Sequence, residues 1–475
     1  MCIIFFYFCV LPIISQTYGD LDNISKKKIV EESYNKKNLK NSGYWNLGFK
    51  IHIDSNWSEA KSTYDWCSGS GTWSDPYIIE NVTINSGNSG SCILIENSRV
   101  YFLIKNCTVY NSGNGFALDF EGGIKMVNVT RGTIINNTAI GNQIGIFLYN
   151  SENNSILENI ANNNTLLGFS LEQSNNNFLV ENNANHNDYG MYLYFSDNNT
   201  LSGNTANNIN SSGIILLESN NNLVCGNTAN YNIDGSGISL SSSNENIVSL
   251  NSVEYSSYGI SLYLSNKNNI FENIAFNSKW RGIRLSISNN NTLSGNTANN
   301  NTYSGIRLGE SNNNTLSGNT ANDNKWRGID LYISDTNTIS GNIVNYNNKS
   351  GIYLDYSENN SVSGNIANYN NKSGIFLYYS NNNSFSGNTA NNNYCGINLT
   401  SSDYNYIIGN TLYDNNVCFS EDQSSIGNIF SDNKCTRDDT SDDDNIRPGI
   451  IGAIITSIVL VGLSVLFWQL KRKDK

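Results

Sequence analysis

Proline, histidine and methionine are nearly missing from this chain: its 475 residues include 3 Pro, 2 His and 3 Met. Charged residues make up only 14%. The helix formers Ala, Glu, Lys and Leu are too thin through the middle of the sequence to build a helical repeat. No C-x-x-C pair suggests zinc, no coil holds the dense acidic cluster that a catalytic calcium would need, and no cofactor is expected. The balance is acidic, with net charge -12 and pI near 4.7. That disfavours nucleic acid as a partner, because no basic patch stands out to displace counterions from phosphates.

Asn, Ser, Thr and 39 Gly fill the chain instead, the composition of many tight turns. Asn296 recurs as Asn319, Asn342, Asn365 and Asn388, and backwards to Asn137 and forwards to Asn410 at steps of 22 to 24. A second column runs Asn301, Asn324, Asn347, Asn370, Asn393 and Asn415. Such a period means a solenoid, in which each unit buries its apolar face only by stacking on the next. Two apolar patterns alternate within each unit: Gly-Ile-x-Leu, as at Gly282, Gly305 and Gly328, and an apolar residue leading to Asn-x-Ala, as in Leu293 to Ala298. Both have period two, which predicts strands, with Asn and Gly supplying left-handed corners. The fold expected is all-β, a single-stranded parallel β-helix of 22–24-residue coils. Stacked Asn columns are expected to pass amide hydrogen bonds from coil to coil, and the thirteen coils from Asn137 to Asn410 predict a rod of roughly 60 Å.

The flanks differ in composition. Residues 1–19 open with an apolar run from Cys2 to Ile14 and read as a signal peptide, although no Lys or Arg precedes the run. Residues 20–43 read as a flexible polar leader, and 44–114 as an N-terminal cap with irregular first coils, including strands at Cys92–Ile95, Tyr101–Val109 and Phe116–Phe120. Repeats fill 115–435. An acidic linker follows at 436–449, then Ile450 to Leu470 without a charge, long enough for a transmembrane helix, and a basic tail at 471–475. By the positive-inside rule the tail is cytoplasmic and the repeats are extracellular, in a single-pass protein of the cell membrane.

The coils N-N-N-T-L-S-G-N-T-A-N-N-N-T-Y-S-G-I-R-L and their copies, over about Gly115 to Phe430, resemble the NosD-type right-handed parallel β-helix repeats of archaeal and bacterial surface proteins. The resemblance implies a right-handed rod. It also implies two functional directions: a copper accessory role like that of NosD, or the carbohydrate binding and sugar hydrolysis of other members. A soft copper site wants clustered Cys, Met or His, whereas the two histidines, His52 and His186, stand far apart, with His186 in a corner run. The C-terminus also resembles archaeal surface-protein tails that carry Pro-Gly-Phe, here Pro448-Gly449-Ile450.

Residues between the Ile and Leu of each first strand are expected to point outward. They form the column Arg284, Arg307, Asp330, Tyr353, Phe376, Asn398, with Tyr332, Asp355 and Tyr378 beside it. Trp280, Tyr303, Trp326, Lys349, Lys372 and Tyr394 form another column before the Gly. Aromatic rings at strand spacing flanked by charge suit an extended polysaccharide, so Trp280, Tyr303, Trp326, Arg284, Arg307, Asp330 and Tyr353 are the candidate ligand-binding residues. The same columns are also accounted for by strand propensity and cross-coil stacking. A catalytic alternative, a glycoside hydrolase or lyase, would use Asp330 and Asp355 as paired acids, or Arg307 beside Asp330. Cys395 and Cys418 are one nominal coil apart and form the candidate disulfide. Asn-x-Ser/Thr triplets such as Asn198, Asn290 and Asn313 are glycan acceptors in an extracellular chain. The expectation is therefore an exported, membrane-anchored β-helix surface protein, non-catalytic, that binds carbohydrate or builds the envelope.

Overall fold

The computed structural model describes residues 45–113 and 120–435, which belong to one compact unit. The segments assigned above to the signal peptide, leader, acidic linker, membrane helix and basic tail lie outside the described residues, as does most of the strand expected at Phe116–Phe120. Phe120 itself is not in a strand, and the strand of that coil is Gly122–Val127. No helix among the described residues is long and apolar enough to cross a membrane.

The coil that begins at Asn296 shows how the sequence closes a turn. Ile306 and Leu308 of the strand Ile306–Gly309 are fully buried while Arg307 faces out. The chain then turns at Glu310 and Asn313, both with positive φ, and re-enters as the strand Thr315–Ser317 around buried Leu316. Gly318 follows at φ 62, a left-handed corner that glycine adopts without strain. Gly305 is required for a different reason. A Cβ there would lie 2.6 Å from the Ala298 carbonyl oxygen and 2.7 Å from the Ala321 Cβ.

Strands of the first pattern pair in parallel into a sheet of 16, from Ile51–Asp54 to Val417–Glu421, and those of the second into a facing sheet that ends at Ile429–Ser431. Sixteen coils at strand spacing make a rod of roughly 70 Å. The Asn-x-Ala segment is not a strand of the regular coils. It forms a third side on which single bridges such as Thr297 to Thr320 link successive coils while Ala298 and Ala321 fill the interior. At the N-terminal end a short helix, Trp57–Thr63, buries Trp57 against the rings of Tyr77 and Phe102 at centroid distances of 5.3 and 5.0 Å.

Both expected Asn columns are present, and each side chain spans three coils. Asn296 Nδ2 donates to the Asn319 Oδ1 on one side (2.9 Å) and to the Ile270 carbonyl on the other (2.8 Å), while the Asn296 amide N–H also donates to Asn319 Oδ1 (3.0 Å). A third buried column, through Asn291, Asn314 and Asn337, and a serine column, through Ser288, Ser311 and Ser334, line the corner between the sheets. Buried corner backbone is thus hydrogen-bonded by side chains of the next coil, as a rod with so little regular strand per turn requires.

The disulfide differs from the expectation. Cys418 is bonded to Cys435, with Cα atoms 6.2 Å apart, and Cys395 is a free, buried thiol that burial pushes up to about 12. The coil step here is 22, so Cys395 stands opposite Val417, and Cys418, one residue on, falls out of register with it.

Candidate functional site

The outward face of the 16-stranded sheet changes character over five coils. Arg284, Arg307, Asp330, Tyr353, Phe376 and Asn398 are in register, each opposite the next. Beside them run Ser286, Gly309, Tyr332, Asp355 and Tyr378. Gly309 leaves a notch in that second column, since a Cβ built on it meets nothing nearer than 3.9 Å.

Asp330 is the centre of this face and is 1% exposed although it points outward. Arg307 Nη1 donates to Oδ2 (2.9 Å), Arg327 Nη1 to Oδ1 (3.0 Å) and Ser304 Oγ to Oδ2 (3.1 Å). The Arg327 guanidinium also lies 3.5 Å from the centroid of the Tyr353 ring, which shields the ion pairs from water. Asp330 therefore has both oxygens engaged by Arg307, Arg327 and Ser304, which leaves neither oxygen free to face Asp355 as one of a pair of acids. Asp355 is the freer acid. Burial raises its carboxyl above the usual range, Arg327 opposes that shift, Asp330 adds to it, and its Oδ1 is buried without a hydrogen-bond partner.

The aromatic column lies at the edge of the same face. Trp280 and Tyr303 are stacked at 5.1 Å with planes 24° apart, and Trp326 follows one coil on, carrying Lys349 at 5.0 Å and Arg327 at 5.4 Å from its ring. All three rings keep 37–38% of their surface in solvent. Arg284 stands over Tyr258 at 5.3 Å and Arg307 over Tyr332 at the same distance.

Two residues of this face, Arg281 and Arg327, escaped the sequence reading. Their signal was present: Lys-Trp-Arg-Gly-Ile occurs at Lys279 and again, two coils later, at Lys325. The reading that no basic patch stands out also fails locally. Lys279, Arg281, Arg284, Arg307, Lys325, Arg327, Lys349 and Lys372 all belong to these coils, against six acids over the same residues, Glu310, Asp323, Asp330, Asp335, Asp355 and Glu358, of which Asp330 and Asp355 lie on the face.

The family model described as "Right handed beta helix region" matches residues 273–412, which include this whole face, and that described as "Periplasmic copper-binding protein (NosD)" matches residues 79–254. The rod is a right-handed parallel β-helix, similar to these two families over the residues matched. No curated protein matches the chain. Among solved structures, the NosD-like rod is similar to the periplasmic alginate epimerase AlgG, at 15% identity and TM-score 0.36 over 76% of this chain and 85% of that one. It is similar also to the A-module of the Azotobacter vinelandii mannuronan C-5 epimerase AlgE4, at 12% identity and TM-score 0.36 over 82% of this chain and all of that one. Tailspike protein 3 of bacteriophage CBA120 matches at 9% identity and TM-score 0.33, over 86% of this chain and 57% of that one.

The copper chemistry named in the second family description does not fit the described residues of this NosD-like rod. His52 is paired with Glu96 at 2.6 Å, His186 is an exposed corner residue at φ 57, and Met126 and Met191 are fully buried in the core. No group of three or more His, Cys, Asp or Glu gathers anywhere among the described residues. Soft donors in this arrangement do not converge on an ion.

Proposed function

We propose that the NosD-like rod is a non-catalytic carbohydrate-binding protein of the cell surface, exported and held at the membrane by its C-terminal apolar segment. The observation that carries the reading is the shelf of Trp280, Tyr303 and Trp326, three rings on consecutive coils with their surfaces left open to solvent beside charged and hydrogen-bonding groups. Buried aromatic ladders stabilise a sheet, but rings that keep more than a third of their surface in water contribute little to it. A row of such rings at about 4.8 Å spacing offers a continuous apolar edge to an extended chain of sugar rings.

Trp280→Ala combined with Trp326→Ala is expected to abolish retention on polysaccharide in affinity electrophoresis, with no more than a small fall in melting temperature. Retention unchanged in the double variant, or no glycan retained by the wild type, would sink the reading. The anchoring part rests on the uncharged run Ile450–Leu470 and the basic Lys471-Arg472-Lys473 after it. Ending the chain after Cys435 is expected to move the protein from the membrane pellet to the soluble fraction. Pelleting that survives the truncation excludes this anchor.

A further inference from the structure

Eight cations on one side of a chain whose net charge is -12 require an explanation. Four of the five arginines between residues 120 and 435 are among them. Internal neutralisation accounts for two: Arg307 and Arg327 both bind Asp330. The other six, Lys279, Arg281, Arg284, Lys325, Lys349 and Lys372, make no ion pair with any described residue.

Their placement opposes stability. Arg284 and Arg307 are directly opposite in register, and like charges so placed repel. Arg281 is half-buried, its Nε has no hydrogen-bond partner, and burial together with the neighbouring Arg307 disfavours its charged form. A buried donor left unmade costs free energy unless something outside the chain meets it. Gly309, beside Arg307, leaves open space on the face, since a Cβ there would come no nearer than 3.9 Å to the Arg307 Nε and the Leu285 carbonyl oxygen.

We infer that this face binds a polyanionic glycan, one that carries carboxylate, sulfate or phosphate groups at intervals, with Arg281 and Arg284, which have no acidic partner among the described residues, seating one anionic group and Lys349 and Lys372 the next along the rod. The inference rests on the carbohydrate reading and adds the charge of the ligand to it. Guanidinium forks bind such groups through paired hydrogen bonds, while the aromatic shelf takes the sugar rings.

The test uses the full chain in detergent against five immobilised polymers: a polyuronate, a sulfated glycan, a polyol phosphate, a neutral β-glucan and single-stranded DNA. One or more of the three anionic polymers is expected to be retained, and the ones retained identify the anionic group. Affinity is expected to fall at least tenfold when salt rises from about 50 mM to about 300 mM, as screening of an exposed charged contact demands. The same loss is expected in Arg281→Gln with Arg284→Gln, with a smaller loss in Arg281→Lys with Arg284→Lys, which keeps the charge but not the fork, and an unchanged far-UV spectrum in both. Binding of the neutral glucan as tightly as the polyanions, without salt dependence, overturns the charge inference and leaves the carbohydrate reading standing. Retention of no glycan overturns both, and retention of DNA alone replaces both with a nucleic-acid face.

Discussion

Asn319→Ala is expected to destabilise the rod by about 3 kcal/mol. The substitution deletes two accepted hydrogen bonds, from the Asn296 amide and the Asn296 Nδ2, and two donated ones, to the Leu293 carbonyl and Asn342 Oδ1. The buried Asn296 N–H is left without a partner, and an unmet buried donor costs on the order of 1–3 kcal/mol by itself. Asn319→Asp is the sharper variant. It keeps the acceptor and the volume but turns an oxygen toward two other oxygens and buries a charge, so its loss is expected to be at least as large. Asn312→Ala, in the same coil run but partly exposed, is expected to cost less than about 1 kcal/mol. Because each coil is held mainly by its neighbours, the damage should be local, with amide exchange accelerated between residues 293 and 342 before either end of the rod responds. Uniform loss of protection along the whole chain, or an Asn319→Asp variant as stable as the wild type, would show that the ladder does not carry the coupling.

The second large effect is at Asp330. Removing its carboxylate leaves Arg307 and Arg327 facing each other with side chains only 25% and 19% exposed. Breaking a buried ion pair from one side costs about 3–5 kcal/mol, and because both arginines can swing partly into water, Asp330→Ala is expected near the lower figure. Asp330→Leu combined with Arg307→Met and Arg327→Met is expected to recover most of that loss, since an apolar cluster of similar volume needs no internal neutralisation. Urea unfolding followed by tryptophan fluorescence reads both, with Trp326 against Arg327 of the cluster. If Asp330→Ala proves neutral, the two arginines are solvated and the enclosure of the carboxylate by Tyr353 has no energetic consequence.

The rod was legible in the sequence because every inward position repeats the same residue, so a column such as Asn296 to Asn388 is visible without coordinates. The third Asn column was hidden by abundance. In Asn312-Asn313-Asn314 only the last faces in, and three identical letters do not say which one the strand parity selects. Asp330 reads as outward-facing and is, but alternation tells inside from outside, not outside from covered. The cover is supplied by Arg327, from a position read as part of the turn, and by a ring one coil away. The disulfide was lost to a single residue of coil length, which moved Val417 into the place opposite Cys395. The cationic face was masked by whole-chain charge, an average that hides the concentration of arginines in residues 281–327.

The Asn columns have one more consequence. Asn296 meets in Asn319 the same chemical surface that Asn319 meets in Asn342, so the upper and lower faces of a coil are complementary to each other and to any copy of themselves. Duplicating one 23-residue block between Asn342 and Asn388 breaks no ladder and creates no new kind of contact. It would carry the aromatic and cationic face about 4.8 Å further from Cys435. The reach of the face is thus set by counting coils, a quantity that the gene can change in whole steps while the interior stays the same.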